Sequence, residues 1–439
     1  MDAVRAMLRT NVKNNLLNGI AWSIGFNFVT PFIPVLAGKL GATNTHFAML
    51  SSIPALLTII VTLPASYALD RFRRQKPIVA GLILFSRLCY LLMAFIPLLK
   101  LSPIEALIAL VGVYTATNSV ISVAYQSMMG EIIPVSNRNR VFAQRNMWTG
   151  FTGMAVALVA GWGIDELPYP YGYQAAFLLG FASSLAETWY FYKLRIPSEE
   201  RPVSVAALAP AAKAGPIAAP AGEMPARPGK PALLQRFSHG AGKPFYLFCL
   251  SAIVFIFAWQ AAWPVYNKVK VVTLQASNSW MSIDAVVGAV GSMLSFPLWA
   301  RLADRKSNGY VLFLSALLLA TSPFNWIYVP SMVWVCIYDF VGGIATAGFN
   351  QSIFNRLLEL VPTDGRQRAI ALYTTVSQVS AIFAPIVGMQ LYSHMPYAGC
   401  MALLGVTRVI GSLCFLLILL PIPVLLGKRK AANRKSMHG

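Results

Sequence analysis

The chain has 439 residues, of which 57% are hydrophobic and only 11% charged, and its mean hydropathy is +0.61. A soluble chain carries about 25% charged residues, so the composition argues against a water-soluble enzyme. The net charge of +20 would suggest nucleic acid in a soluble protein, but its distribution along the chain points to a membrane instead.

Twelve apolar segments follow in chain order: about 14–37, 47–69, 78–98, 104–129, 142–164, 172–194, 244–267, 277–302, 310–329, 331–357, 369–393 and 398–426. Each suits a membrane helix of about 20 residues if internal Gly, Asn and Pro are tolerated, as they are in membranes. The segments are continuous rather than alternating, which disfavours a transmembrane barrel. The expected fold is all-α and polytopic, with 12 transmembrane helices in two six-helix halves. The expected division is 1–195 for the first half, 196–243 for an Ala/Pro-rich cytoplasmic linker, 244–427 for the second half and 428–439 for a basic cytoplasmic tail. Ala and Pro with few aromatics cannot build a core, so the linker is expected to be disordered. Arg5, Arg9 and Lys13, spaced by four, read as a short helix on the inner membrane surface or as ordinary topogenic charge.

With both termini inside, the inner segments hold 29 Lys and Arg and the outer ones 4, namely Lys39, Lys100, Lys268 and Lys270. Arg145 is counted with the inner loops. The positive-inside rule then places both termini in the cytoplasm, accounts for the charge without nucleic acid, and suggests a plasma (inner) membrane location. The start is basic, but the apolar run after it is too long for a cleavable signal. The five cysteines are scattered singly with no CxxC, so neither a zinc site nor a disulfide framework is indicated.

The two halves repeat. After the fourth segment come Glu131, Pro134, Arg138 and Arg140; after the tenth, Glu359, Pro362, Arg366 and Arg368 recur at an offset of 228. Asp70-Arg71 after the second segment is echoed by Asp304-Arg305 after the eighth. Matching loops in two six-helix halves imply internal duplication, a signature of secondary transporters.

Here the sequence resembles a family. Ser66 to Gln75 is similar to the loop signature GxxxDRxGRR of the major facilitator superfamily: Asp70, Arg71 and Arg74 match, Ser66 and Arg73 replace glycines, and Gln75 replaces a basic residue. The resemblance implies that fold, acting as a monomer on a small molecule within the bilayer. It also implies a gating cluster of Asp70, Arg71, Arg74, Arg138, Arg140, Asp304, Arg305, Arg366 and Arg368 that closes the cytoplasmic side. Exporters of the superfamily often carry GPxxGG in helix 5. Here that helix has Gly150, Gly153, Gly161 and Gly163 but no Gly-Pro pair.

Ionisable residues within spans cost at least about 2.5–3.5 kcal/mol, so each needs a partner or a function. Asp339 on the tenth segment is the first candidate for carrying a coupling proton, and Asp284 on the eighth is the second; the alternative is structural pairing with Arg408. Arg87 and Glu187 read as an ion pair within the first half. The resemblance makes helices 1, 4, 7 and 10 the cavity walls. They carry Trp22, Asn27, Tyr114, Asn118, Gln126, Trp259, Gln260, Trp263 and Asn350 as substrate candidates. Trp259, Trp263 and Tyr266 at i, i+4, i+7 should share one face, suiting an amphipathic, partly aromatic solute. No arginine pair is evident there, so a highly anionic sugar phosphate is not the expected cargo. No Walker A motif occurs, so ATP hydrolysis is not expected; the chain is expected to be a transporter and not an enzyme, with no cofactor or metal implied. The expected function is secondary active transport by alternating access, first as proton-coupled efflux of an amphipathic or drug-like compound. Uptake of a sugar-like metabolite by proton symport, a lipid or lysolipid carrier, and a transporter-fold scaffold or sensor subunit are the alternatives.

Overall fold

The computed structural model describes residues 2–70, 72, 75–195, 243–361 and 366–419. Among these, helices make up nearly everything and no strand occurs. In chain order the helices are α1 (Asp2–Val29), α2 (Ile33–Lys39), α3 (Asn44–Asp70), α4 (Gln75–Phe95), α5 (Pro103–Ile132), α6 (Val135–Glu166), α7 (Tyr171–Tyr192), α8 (Lys243–Lys268), α9 (Asn278–Arg305), α10 (Asn308–Ala320), α11 (Ser322–Ile327), α12 (Met332–Leu360), α13 (Arg366–His394) and α14 (Tyr397–Leu419). The short Thr30–Phe32 turn joins α1 to α2, and α10 runs into α11, so these fourteen pieces make twelve spans. The expected surface helix bearing Arg5, Arg9 and Lys13 is not a separate element: α1 runs unbroken from Asp2 into the first span. The linker 196–242 and residues 420–439 lie outside the described residues.

Eleven helices are long and apolar enough to cross a membrane among the described residues. The twelfth, α7, has 22 residues, but Gln174, Glu187 and its tyrosines dilute its hydropathy. Many large apolar side chains face outward, including Trp162, Leu294, Leu298 and Phe383. That pattern is a liability in water and the requirement in lipid. Proline inside α3, α8, α9 and α13 removes backbone donors, which neighbouring helices can compensate in a bundle. Serine hydroxyls cap three helices of the second half: Ser277, Ser307 and Ser331 accept from the backbone N–H of Trp280, Tyr310 and Trp334.

The packing repeats helix by helix. In the first half α1 packs on α6 and α7, α3 on α5, and α4 on α5 and α7. In the second half α8 packs on α13 and α14, α9 on α12, and α10 on α12 and α14. The halves meet through two reciprocal contacts, α3 with α13 and α6 with α9. One end of the bundle carries the start of α1, the end of α7 and the start of α8, and is called basal here; the other is distal. An apolar cluster at the distal end crosses the halves, combining Val35 and Phe47 with Val265, Trp326 and Met401. Each half also has its own basal apolar cluster, around Met128, Met129 and Phe191 in the first and around Phe248, Phe255 and Phe349 in the second.

Candidate functional site

In the first half a cavity of about 450 Å³ lies toward the basal end, walled by α1, α4, α5, α6 and α7. At its base Arg87 of α4 grips Glu187 of α7 in a fork, Nε to Oε2 at 2.9 Å and Nη2 to Oε1 at 3.0 Å. Both side chains are 5% exposed or less. Arg87 also donates from both Nη atoms to Asn118 Oδ1 at 3.3 Å, and its guanidinium lies 5.5 and 5.4 Å from the rings of Tyr90 and Tyr114. A fork between a guanidinium and a carboxylate is the strong form of ion pair, and here the two charges cancel. Asn18 ties α1 to the same place by donating to the Glu187 carbonyl at 2.9 Å.

The cavity departs from the sequence expectation in two respects. Its walls belong to the first half alone and include the third, fifth and sixth spans. It also holds two arginines, because Arg145 lines it beside Arg87. The sequence reading counts Arg145 as loop charge, although it falls inside the apolar segment 142–164, and that position is the available signal. Of the expected substrate residues, Trp22, Asn118 and Gln126 line this cavity. Tyr114 does not: it is buried beside Tyr90 with ring centres 5.0 Å apart. Asn27 donates back to the Ser23 carbonyl at 2.8 Å.

The second half holds a different cluster. At the end of α8 the chain forms a π-turn, Val269–Thr273, and this turn carries Lys270 inward. Lys270 Nζ donates to Asp284 Oδ2 at 2.5 Å and to Asp339 Oδ2 at 2.8 Å. The Asp284 side chain is 7% exposed and that of Asp339 33%, so Asp339 is the open member. Asp284 Oδ1 is buried and has no hydrogen-bond partner. At 1.5 Å per residue, both carboxylates lie roughly 9–11 Å from the distal ends of their helices. The alternative pairing with Arg408 is not what forms. Arg408 is buried and donates to main-chain carbonyls instead, of Leu319 at 3.2 Å and Trp259 at 3.3 Å. The first carbonyl lies four residues before Pro323, which has no N–H to bond it, at the break between α10 and α11.

Lys270 is the residue that sequence reasoning placed wrongly, as outer-loop charge. The signal was its setting, Val269-Lys270-Val271-Val272, an apolar run that extends the seventh span. The expected aromatic face on α8 is divided by the structure. Tyr266 is buried and stacks on Trp326 at 4.3 Å, Trp259 packs edge-on against Phe349 at 5.3 Å, and Trp263 is 56% exposed. Gln260 keeps a buried Oε1 without a partner, and Asn350 is exposed.

The distal end is closed by hydrogen bonds between the halves. The Asp165 carboxylate, at the end of α6, accepts four: from the Asn278 backbone N–H (3.0 Å) and side chain (2.8 Å), and from the Ser279 backbone N–H (2.7 Å) and hydroxyl (2.6 Å). A carboxylate at the first turn of α9 also meets the positive end of that helix. Tyr173 donates to Asn278 Oδ1 at 3.0 Å, and Asn44 bridges Lys268 and Ser393. Gly161 permits this approach, since a Cβ there would stand 2.7 Å from the Asn278 carbonyl. Asp165, Tyr173, Asn44 and Lys268 thus tie the two halves together at this end. At the basal end Arg140, Asp304 and Arg305 are exposed. Arg71 and Arg74 lie outside the described residues, as do the side chains of Asp70, Arg138, Arg366 and Arg368, so the gating cluster is not seen as a unit.

The sequence profile of the Major Facilitator Superfamily matches residues 15–295 and 248–437. No curated protein sequence is significantly similar to the chain. Among solved structures it is similar to a bacterial homologue of the iron transporter ferroportin in an inward-facing state, with 13% identity, TM-score 0.66, and 94% of this chain and 98% of that one covered. It is similar to a mutant of the nucleoside transporter NupG, with 12% identity, TM-score 0.65, and 93% and 99% covered. It is also similar to a D-xylose–proton symporter, with 14% identity, TM-score 0.62, and 94% and 97% covered. Such low identities establish the fold and leave the cargo open.

Proposed function

The chain belongs to the major facilitator superfamily, and from that premise we propose that it is a proton-coupled secondary transporter in which Lys270, Asp284 and Asp339 carry the coupling proton. The single observation behind this is the charge count of the buried cluster. Two carboxylates face one ammonium, so full ionisation leaves a net negative charge and an unpartnered oxygen inside the span. Like charges this close cannot both stay ionised cheaply, and one proton restores balance.

The same turn offers a route from proton to movement. Lys270 reaches the carboxylates, and Lys268, two residues earlier, reaches across to Asn44 of the first half. Protonation that loosens Lys270 from Asp339 changes the hold on the π-turn, and with it the distal closure. Alternating access then follows as rocking of the two halves about the contacts of α3 with α13 and α6 with α9. The count of basic residues supports placing the basal end in the cytoplasm, with the hydrogen-bonded distal closure on the opposite side. Each chain carries both halves, so a monomer is complete.

The test is solute-driven proton flux in liposomes holding the purified protein and a pH dye. The wild type should couple the two flows. Asp339→Asn should still bind solute and exchange it across the membrane while proton movement is lost. Unchanged proton flux in Asp339→Asn would remove this carboxylate from coupling. The sign of the pH change separates efflux by antiport from uptake by symport.

A further inference from the structure

Beside the cancelled Arg87–Glu187 pair, the first-half cavity holds a cation that no described carboxylate neutralises. Arg145 lies against α1, where Gly19 makes room for it: a Cβ at that position would stand 2.7 Å from Nε. Its guanidinium sits 5.0 Å over the Tyr125 ring, and its buried Nε has no hydrogen-bond partner. Glu187 offers no help, because both its oxygens are engaged by Arg87.

Other donors near Arg145 are unused as well. The Tyr125 hydroxyl donates to Asn15 Oδ1, and the amide nitrogen of Asn15 is left buried without an acceptor. Asn118 is oriented by chemistry: a guanidinium only donates, so the oxygen must face Arg87 and the NH₂ is the end left free. Arg145 and Asn15 keep unused donors here, beside the amide oxygens of Asn18 and Gln126, and the net charge is one positive. The rest of the wall is apolar, including Trp22, Ile121 and Phe142.

We propose that this cavity is a subsite for an amphipathic organic anion, with Arg145 as counter-ion to its carboxylate and the apolar wall holding its body. The inference rests on the transporter reading above and names the class of its cargo. A preorganised donor set in a partly dehydrated cavity favours the charged ligand over its neutral isostere, since the isostere leaves the donors unpaired.

The experiment uses the full-length protein in phosphatidylcholine nanodiscs and three probes of one shape: phenylbutyrate, phenylbutanol and phenylbutylamine. The carboxylate should bind at least about tenfold tighter than the alcohol, equivalent to about 1.4 kcal/mol, and the ammonium weakest. The preference should fall as salt rises. Arg145→Gln should level the three affinities and Arg145→Lys should keep their order. If Arg145→Gln does not fold, Gly19→Ala, which pushes the guanidinium out of its seat, should level them instead. Equal binding of carboxylate and alcohol, binding of neither, or an anion preference that survives Arg145→Gln overturns the proposal. Displacement of the carboxylate by phosphatidylglycerol placed in the discs assigns the site to a lipid head group and overturns it as well. Asp339→Asn should leave the preference intact, so failure of proton coupling and failure of the anion site are read separately.

Discussion

In the first half, Arg87 meets Glu187 through a two-bond fork and spends its remaining donors on Asn118 and Ser86. In the second half, Lys270 meets two carboxylates, one buried and one partly open, and an oxygen of the buried one has no partner. Both clusters sit inside spans of a common packing scheme. The first is balanced and saturated, so a proton has nothing to gain there. The second is short of one positive charge, which a proton supplies under the proposed coupling. The repeated packing thus provides two equivalent frames that differ in the balance of charge inside each.

The largest effect expected from breaking this comparison is at the saturated pair. Arg87→Met strands Glu187 and should cost about 3–5 kcal/mol, seen as a large drop in apparent Tm in detergent. Adding Glu187→Leu to it should recover most of the loss, since the stranded charge is gone. Lys270→Met should cost less, about 1.5–3 kcal/mol for the charged hydrogen bonds, and the loss should shrink on acidification. The sign follows from the count: without Lys270 the two carboxylates repel, and protons relieve them. Thermal unfolding at mildly acidic and mildly alkaline pH checks it.

Where the frames join, Asp165→Asn removes the charge from the four-bond distal clasp. It should raise the distally open population by about 1–2 kcal/mol, or roughly 5- to 30-fold, read by spin-label distances across that end. Tyr173→Phe deletes one bond of the same closure and should shift it by only about 0.5–1 kcal/mol.

The apolar segments and the repeated loops made the twelve-span, two-half layout legible, because length and hydropathy are what a bilayer selects. Asp284, Asp339, Arg87 and Glu187 were legible as residues whose burial demands a partner. Their partners were less so. Arg87 and Glu187 share a half and a depth, which suffices to match them. Lys270 sits at the edge of a span, and only the π-turn carries it inward beside the carboxylates; a one-residue change in winding is not visible in hydropathy. A carboxylate is the only alternative partner that side-chain types suggest for Arg408, because a main-chain carbonyl such as that of Leu319, four residues before Pro323, cannot be read as an acceptor from them. The Asp165 clasp was overlooked for a related reason: half its partners are backbone N–H groups at the first turn of another helix.

The central claim is that protons enter the Lys270 cluster and not the Arg87 pair. Infrared difference spectroscopy of the protein in nanodiscs, taken through a pH titration, reads this without any cargo. The account predicts a protonated-carboxyl C=O band that is altered or lost in Asp339→Asn and Asp284→Asn and untouched in Glu187→Gln. A band that survives both aspartate substitutions, or one that vanishes with Glu187→Gln, would contradict it.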